Sequence, residues 1–336
     1  MAVETTGQTQ KRGSSASRKI RWLSIAIVVV VALYSAGWFF VASEIERVVA
    51  GVIARPGPVS LECADLKRAG TPFRIGFDCS RTSVKDDATG AMVSAGAIRA
   101  VAHIFNPGSG LVELDGPANV SMLDGNAITA NWSRMRAGFS VGLSSLKSLS
   151  VTGEGIAADI FNYAMVEPVI AKASGGEFHI RGNGADIETA VLVRDFAVAT
   201  RSGTEVLPQL STSAMLTLKD KAELLEGKPL VSKAMTGQLT SFKIETPEGL
   251  YGEMTGPFEI DADGYISGQF QTKFEKISLW QRDLNKLLPG AEGTVSGMAA
   301  LLKGLAKGGD SVTVNLVVNK GAISLSMMPL GRIPPI

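Results

Sequence analysis

Apolar residues follow three patterns along this chain, and each predicts a different element. The first is an unbroken run. No charged residue occurs between Trp22 and Ser43, and Ile25 to Leu33 is almost wholly aliphatic. About 20 such residues in a helix cross the hydrocarbon core of a bilayer. The second pattern is alternation, which puts every other side chain on one face of a strand. Phe73, Ile75, Phe77 and Cys79 alternate with Arg74, Asp78 and Ser80, and Ile98, Ala100, Ala102 and Ile104 alternate with Arg99 and His103. Ile266, Gly268, Phe270, Thr272 and Phe274 alternate with Gln269, Gln271, Lys273 and Glu275 in the cleanest run of all. Near the C-terminus Val312, Val314, Leu316 and Val318 pair with Ile323, Leu325 and Met327 across Asn319-Lys320-Gly321, a hairpin with a glycine turn. Asp124-Gly125, Asn183-Gly184 and Asp263-Gly264 mark further turns.

The third pattern is helical and sparse. Ser278 to Gln281 has capping-box form, followed by Trp280, Leu284, Leu287 and Leu288 on one stripe. Met298, Leu301, Leu302 and Leu305 make a second stripe, stopped by Gly308-Gly309. Ile156 to Ala173 reads as a third helix, interrupted at Pro168. So few helices cannot supply the crossovers of a parallel sheet. The expected fold is therefore mainly β with a few helices: a large antiparallel, curved sheet or half-barrel after one N-terminal transmembrane helix. Gly110–Pro117 echoes Gly249–Pro257, each followed by an alternating strand, which is compatible with two similar halves dividing near residue 175.

Charge orients the anchor. Lys11, Arg12, Arg18, Lys19 and Arg21 precede the apolar run, and Glu44 and Glu46 follow it. The positive-inside bias makes residues 1–21 a cytoplasmic tail, 22–43 the span, and 44–336 an exported β-rich domain. A cleaved signal peptide is the rival, with Val41-Ala42-Ser43 as a passable cleavage site, but its apolar region usually runs only about 7–15 residues. Formal net charge over the chain is +1, from 33 basic and 32 acidic residues, which leaves no electrostatic footprint for nucleic acid. Cys63 and Cys79 are the only cysteines. In an exported domain they are expected to oxidise to a disulfide closing a loop of about 15 residues, worth roughly 3 kcal/mol. Zinc needs more ligands than two thiols, and the two His residues are not spaced to help.

The anchor, the first Cys, the Gly70-Thr71-Pro72-Phe73-Arg74 strand entry ending in a second Cys, and the later Leu114-Asp115-Gly116-Pro117 together carry a resemblance. The chain resembles an uncharacterised alphaproteobacterial membrane-anchored envelope family, known only as a domain of unknown function. The likeness extends over most of the exported region, including Ala97–Pro117 and the Leu330–Pro335 tail, with Thr71 where the family carries an aromatic. The resemblance, carried by the Pro72, Phe73, Arg74 motif, implies an envelope location and the Cys63–Cys79 disulfide; with the orientation of the anchor, the expectation is a bacterial inner-membrane protein, single-pass, N-terminus cytoplasmic and bulk periplasmic. The resemblance implies no activity.

No catalytic constellation is legible. Ser144 and Lys147 match Ser-x-x-Lys, but the spacing of Phe139, Val141 and Leu143 is that of a strand and the partner motifs are absent. Gly227-Lys228 lacks a phosphate loop's remaining residues, and Gly153-Glu154-Gly155 lacks the third glycine of a dinucleotide loop. Asp261-Ala262-Asp263-Gly264 lacks the later ligands of a calcium loop. His103 and His179 stand alone on apparent strands. No cofactor, metal or catalytic residue is expected, and the chain is read as a non-enzyme, with a hydrolase left as the third reading because the sequence displays no nucleophile with a base beside it. The expected role is to bind a lipid or other apolar ligand in a curved sheet, in outline like AsmA-like envelope proteins. The alternative is a structural or interaction protein of the envelope with a filled core.

Overall fold

The computed structural model describes residues 15–53, 57, 59–70, 73–87, 89–142, 145–228, 233–325 and 328–336. A 39-residue helix, α1 (Ser15–Ile53), leads into the sheet. Ten short strands follow as five consecutive pairs: β1 (Val59–Ala64) and β2 (Lys67–Ala69), β3 (Arg74–Cys79) and β4 (Arg81–Asp86), β5 (Met92–Ala95) and β6 (Ile98–His103), β7 (Asn106–Leu114) and β8 (Ala118–Ser121), β9 (Ala127–Asn131) and β10 (Arg134–Val141). Longer strands come next: β11 (Leu146–Phe161), β12 (Val169–Asn183), β13 (Asp186–Thr200), β14 (Glu205–Leu218), β15 (Met235–Glu245), β16 (Tyr251–Ile260) and β17 (Ile266–Glu275). Two helices, α2 (Ile277–Leu287) and α3 (Glu292–Leu305), precede β18 (Ser311–Asn319), β19 (Ala322–Leu325) and β20 (Met328–Arg332).

All twenty strands belong to one antiparallel sheet that does not close. Its connectivity is simpler than the count suggests. β3 pairs with β6 while β4 pairs with β5, and the same crossed pattern joins β6 to β7 and β5 to β8. β10 and β9 then pair with the two halves of β11. Each short pair is thus one long strand bent in the middle, and the sheet is an up-and-down meander of fifteen strands in sequence order. Ladder bonds carry across the bends: the Ser80 amide donates to the Ala64 carbonyl at 2.9 Å, Asp115 to Ala97 at 2.8 Å, and Ser133 to Glu154 at 2.9 Å. Beyond β10 the bend line continues without breaking the strands. Gly155 in β11 has φ 58°, which only glycine adopts at little cost, and Asp195 in β13 has φ 52°. Asp195 is held there by hydroxyl donation from Ser174 (2.5 Å) and amide donation from Gln209 (2.8 Å). Bulges of this kind bend a sheet and sharpen its twist. The expected curved antiparallel sheet is what forms.

The C-terminal hairpin has the register its alternation predicts. Val318 faces Ile323 and Leu316 faces Leu325, across a two-residue turn in which Lys320 and Gly321 both take positive φ. Met327 lies outside the described residues. Above this hairpin α2 and α3 form the main core. Ile277 is fully buried, and Ala299 and Leu302 pack with it on Val312, Val314, Leu316 and Leu325.

Two expectations are corrected. Residues Ile156–Phe161 and Val169–Ala173 are strand, not helix. Ile156, Ala158 and Ile160 satisfy period 2 as well as they satisfy a helix, and hydrogen bonding to β9 and β12 on both sides decides the matter. Ser278 does not cap α2, which starts one residue earlier with Lys276 as N-cap in the left-handed region. The first-turn donors are satisfied from outside the helix instead. The Asp310 carboxylate accepts the Ser278 amide at 3.1 Å and its hydroxyl at 3.0 Å, and the Asp310 carbonyl accepts the Ile277 amide at 3.2 Å. Residues 174–176, near the expected division at 175, lie in the middle of β12, where the sheet runs on through them.

Candidate functional site

Register assigns the two faces of the sheet. One row of directly opposed residues begins Phe77, Ala100, Val112, Ala137 and continues through Val151, Phe178, Val191 and Ala214. It ends in Phe242, Met254, Thr272 and Val314. Across twelve strands, β3 to β18, Thr272 is its only polar member. The neighbouring row on the opposite face reads Asp78, Arg99, Glu113, Arg136, Thr152 and Glu177, then Leu192, Ser213, Lys243, Glu253, Lys273 and Thr313. Alternation in sequence has become two unlike surfaces, one apolar and one laced with cross-strand ion pairs.

The apolar face is covered unevenly. Over β16 to β19 it lies beneath α2 and α3, with Trp280 placed over Gly252 and edge-on to Phe274. A cavity of about 260 Å³ remains there, lined by Phe274, Trp280, Leu284, Met298, Leu330 and neighbouring aliphatic residues. It is slightly below the volume typical of ligand sites and mostly apolar. A short 3-10 turn, Ala222–Glu226, lies against β11 and β12. Over the middle strands the face is half-exposed: Val191 keeps 36% of its surface in contact with solvent.

The polar face holds a constellation that sequence reading missed. His179 is not alone. Register sets it opposite Ser150, and its Nδ1 lies 2.9 Å from Ser150 Oγ while Nε2 lies 3.3 Å from the Glu177 carboxylate. The Arg194 guanidinium, donating at 2.7 Å, holds Glu177 below the usual carboxylate range, with His179 adding a smaller pull. Ser150 and His179 border a groove of about 530 Å³ that also meets Arg181, Glu188 and Met215. Serine, imidazole and carboxylate in a line are the parts of an activated nucleophile. A backbone oxyanion hole is not formed, because the amides flanking Ser150 are committed to the ladders with β10 and β12. Only register, across 29 residues of sequence, brings Ser150 and His179 together.

The remaining predicted positions fall as follows. Cys63 and Cys79 form a disulfide with Cα atoms 5.4 Å apart, tying β1 to the end of β3, and Cys79 is 2% exposed. Arg74 begins β3 beside α1, with Phe73 immediately before it; Pro72 lies outside the described residues, as does Ser144. The Trp38 indole donates to the Arg74 carbonyl at 3.1 Å, and the Phe73 ring sits 6.0 Å from both the Tyr34 and Phe105 rings. The Asp261 carboxylate accepts the Asp263 and Tyr265 amides, so the calcium-like run is a hydrogen-bonded turn. Among the described residues no cluster of three His, Cys, Asp or Glu side chains is placed to hold a metal. In α1 the stretch Arg21–Phe40 is long and apolar enough to cross a membrane, with none of it buried by the rest of the protein; by length and composition it suits an anchor or a signal sequence.

No curated protein and no solved structure matches the chain. Residues 38–334 match the bacterial family described as an uncharacterized protein conserved in bacteria, DUF2125, and since the match takes in nearly the whole sheet, the chain belongs to that family.

Proposed function

We propose that this chain is a single-pass protein of the bacterial inner membrane, N-terminus cytoplasmic and bulk periplasmic, that holds a lipid or another apolar ligand on its sheet without catalysing a reaction. The observation that carries this reading is the row from Phe77 to Val314, apolar at all but one position and roofed by helices only at its far end. An acyl chain laid on such a face leaves water at about 0.8 kcal/mol per buried methylene. The positive flank of α1 supports the orientation, and the disulfide suits an oxidising compartment. The motif ending in Phe73-Arg74 supports the narrower envelope-family membership. Native mass spectrometry of the full chain, extracted in mild detergent, tests the reading. Co-purifying lipid is the expected result. A ligand-free protein with a crosslinked protein partner would favour the structural or interaction role instead.

One arrangement favours a different reading, a hydrolase built on Ser150, His179 and Glu177. A fluorophosphonate probe decides it. Without a backbone oxyanion hole Ser150 should stay unlabelled, and labelling abolished by Ser150→Ala would establish the enzyme.

A further inference from the structure

We infer that the rim of the sheet carrying Phe73 and Phe105 is seated in the bilayer that α1 crosses, in the half of it facing the sheet. The inference rests on the proposed anchor and adds where the sheet stands relative to the lipid. The apolar span ends at Phe40. Trp38 and Tyr34 precede that end by two and six residues, which at about 1.5 Å per residue places them about 3 and 9 Å below it. Both side chains touch the sheet. Trp38 donates to the Arg74 carbonyl at 3.1 Å, and the Tyr34 ring lies 6.0 Å from Phe73, which stacks on Phe105. The contacts therefore fix Phe73 and Phe105 at the depth of Tyr34 and Trp38, not above Phe40.

The chemistry of the rim fits that depth. Phe73 is 53% exposed and Phe105 is 78% exposed, two stacked phenyl rings with more than half of their surface uncovered. Amphipathic elements settle about 5–10 Å into the headgroup and acyl boundary, where aromatic rings are favoured. The Arg74 carbonyl, which lipid could not satisfy, already has the Trp38 indole. The exposed Arg74 side chain begins at the rim and can reach phosphate headgroups. Four residues above Phe73, Phe77 opens the apolar row, so a lipid can pass from the leaflet to the sheet without crossing water.

Depth-dependent quenching tests this on the full chain in vesicles of three parts phosphatidylcholine to one part phosphatidylglycerol. An environment-sensitive fluorophore is attached to Phe105→Cys after the native disulfide has closed. Two comparison sites are used: Leu123→Cys, 82% exposed on the opposite rim, and Leu33→Cys within the apolar span. Lipids brominated along the acyl chain should quench position 105 several-fold more than 123, approaching position 33. Quenching at 33 but no more at 105 than at 123 overturns the seated rim and leaves the anchor standing. Absence of quenching at 33 overturns the anchor, and the inference with it.

Discussion

Replacing Val191 by Asp asks whether the apolar face is where the ligand sits. Val191 stands in the middle strand β13, with Phe178 and Ala214 beside it on the same face. It is 36% exposed, so neighbouring strands already cover about two thirds of it. Full burial of a valine is worth roughly 1.5–3 kcal/mol, and the empty protein should therefore lose about 1–2 kcal/mol, a modest drop in the unfolding midpoint. Under a bound acyl chain the cost is of another order, because the carboxylate must give up its water without gaining a partner, a penalty of several kcal/mol. Even about 2.8 kcal/mol of that penalty lowers affinity 100-fold. Ser213→Asp is the control: it lies one row away on the polar face, opposite Lys243, where a carboxylate is welcome. Lipid retained per protein, read by native mass spectrometry beside a thermal melt, should fall to near zero for V191D and stay at the wild-type value for S213D. Equal retention in both variants, or equal loss in both, refutes the assignment of the ligand to this face.

Ile277→Ala removes a fully buried side chain beneath α2 and should cost about 2–5 kcal/mol in urea unfolding; a loss under 1 kcal/mol would mean the helix pair is not the core it resembles. Asp310→Ala takes the external cap from α2 and should cost about 1 kcal/mol, with helix content by circular dichroism falling before sheet signal does. Reducing Cys63–Cys79 should cost about 3 kcal/mol on the chain-entropy model, and an unchanged urea midpoint with dithiothreitol would show that the loop is held without it. Glu177 is held below the usual carboxylate range chiefly by Arg194, Asp186 by Lys219, Glu188 by Asn183 and then Arg181, and Asp195 by Ser174. A carboxylate depressed in the folded state contributes stability that is present above its unfolded pKa, about 4, and is lost as pH falls through the folded value. The melting midpoint should therefore hold from pH 7 to about pH 5 and fall below about pH 4; a fall already at pH 6 would point to histidine.

The parts of the fold legible in sequence were those that a single strand or hairpin decides. Val312 to Leu325 could be read because alternation and the Lys320-Gly321 turn agree. The bend line could not, because Gly96-Ala97 and Asp115–Pro117 look like turns between short strands until register shows the chain continuing in the same direction. The echo between Gly116-Pro117 and Gly256-Pro257 has a physical basis in that line: both pairs fall where a strand bends or shifts register. Ile156–Ala173 misled because its apolar spacing fits both periods, and only the neighbouring strands choose between them. The disulfide was legible from compartment and count. His179 with Ser150 and Glu177 was not, since nothing local to any of the three announces the others. Likewise Phe73 and Arg74 stood out as a motif, but their seat against Tyr34 and Trp38 depends on how far β1–β2 returns along α1.

A meander in which every strand meets only its neighbours in sequence behaves as a one-dimensional array. Stability in such an array is a sum over adjacent pairs, so a hairpin added or removed in the middle changes the length of the sheet without disturbing its ends. Fourteen steps of about 4.8 Å make it on the order of 65 Å from first strand to last. The ends are where this chain departs from repetition. One is stapled by Cys63–Cys79 and leans on α1; the other is roofed by α2 and α3 and closed by β20, whose Pro329 blunts the free edge. Relatives of different length should therefore differ in the number of middle hairpins while keeping both end structures.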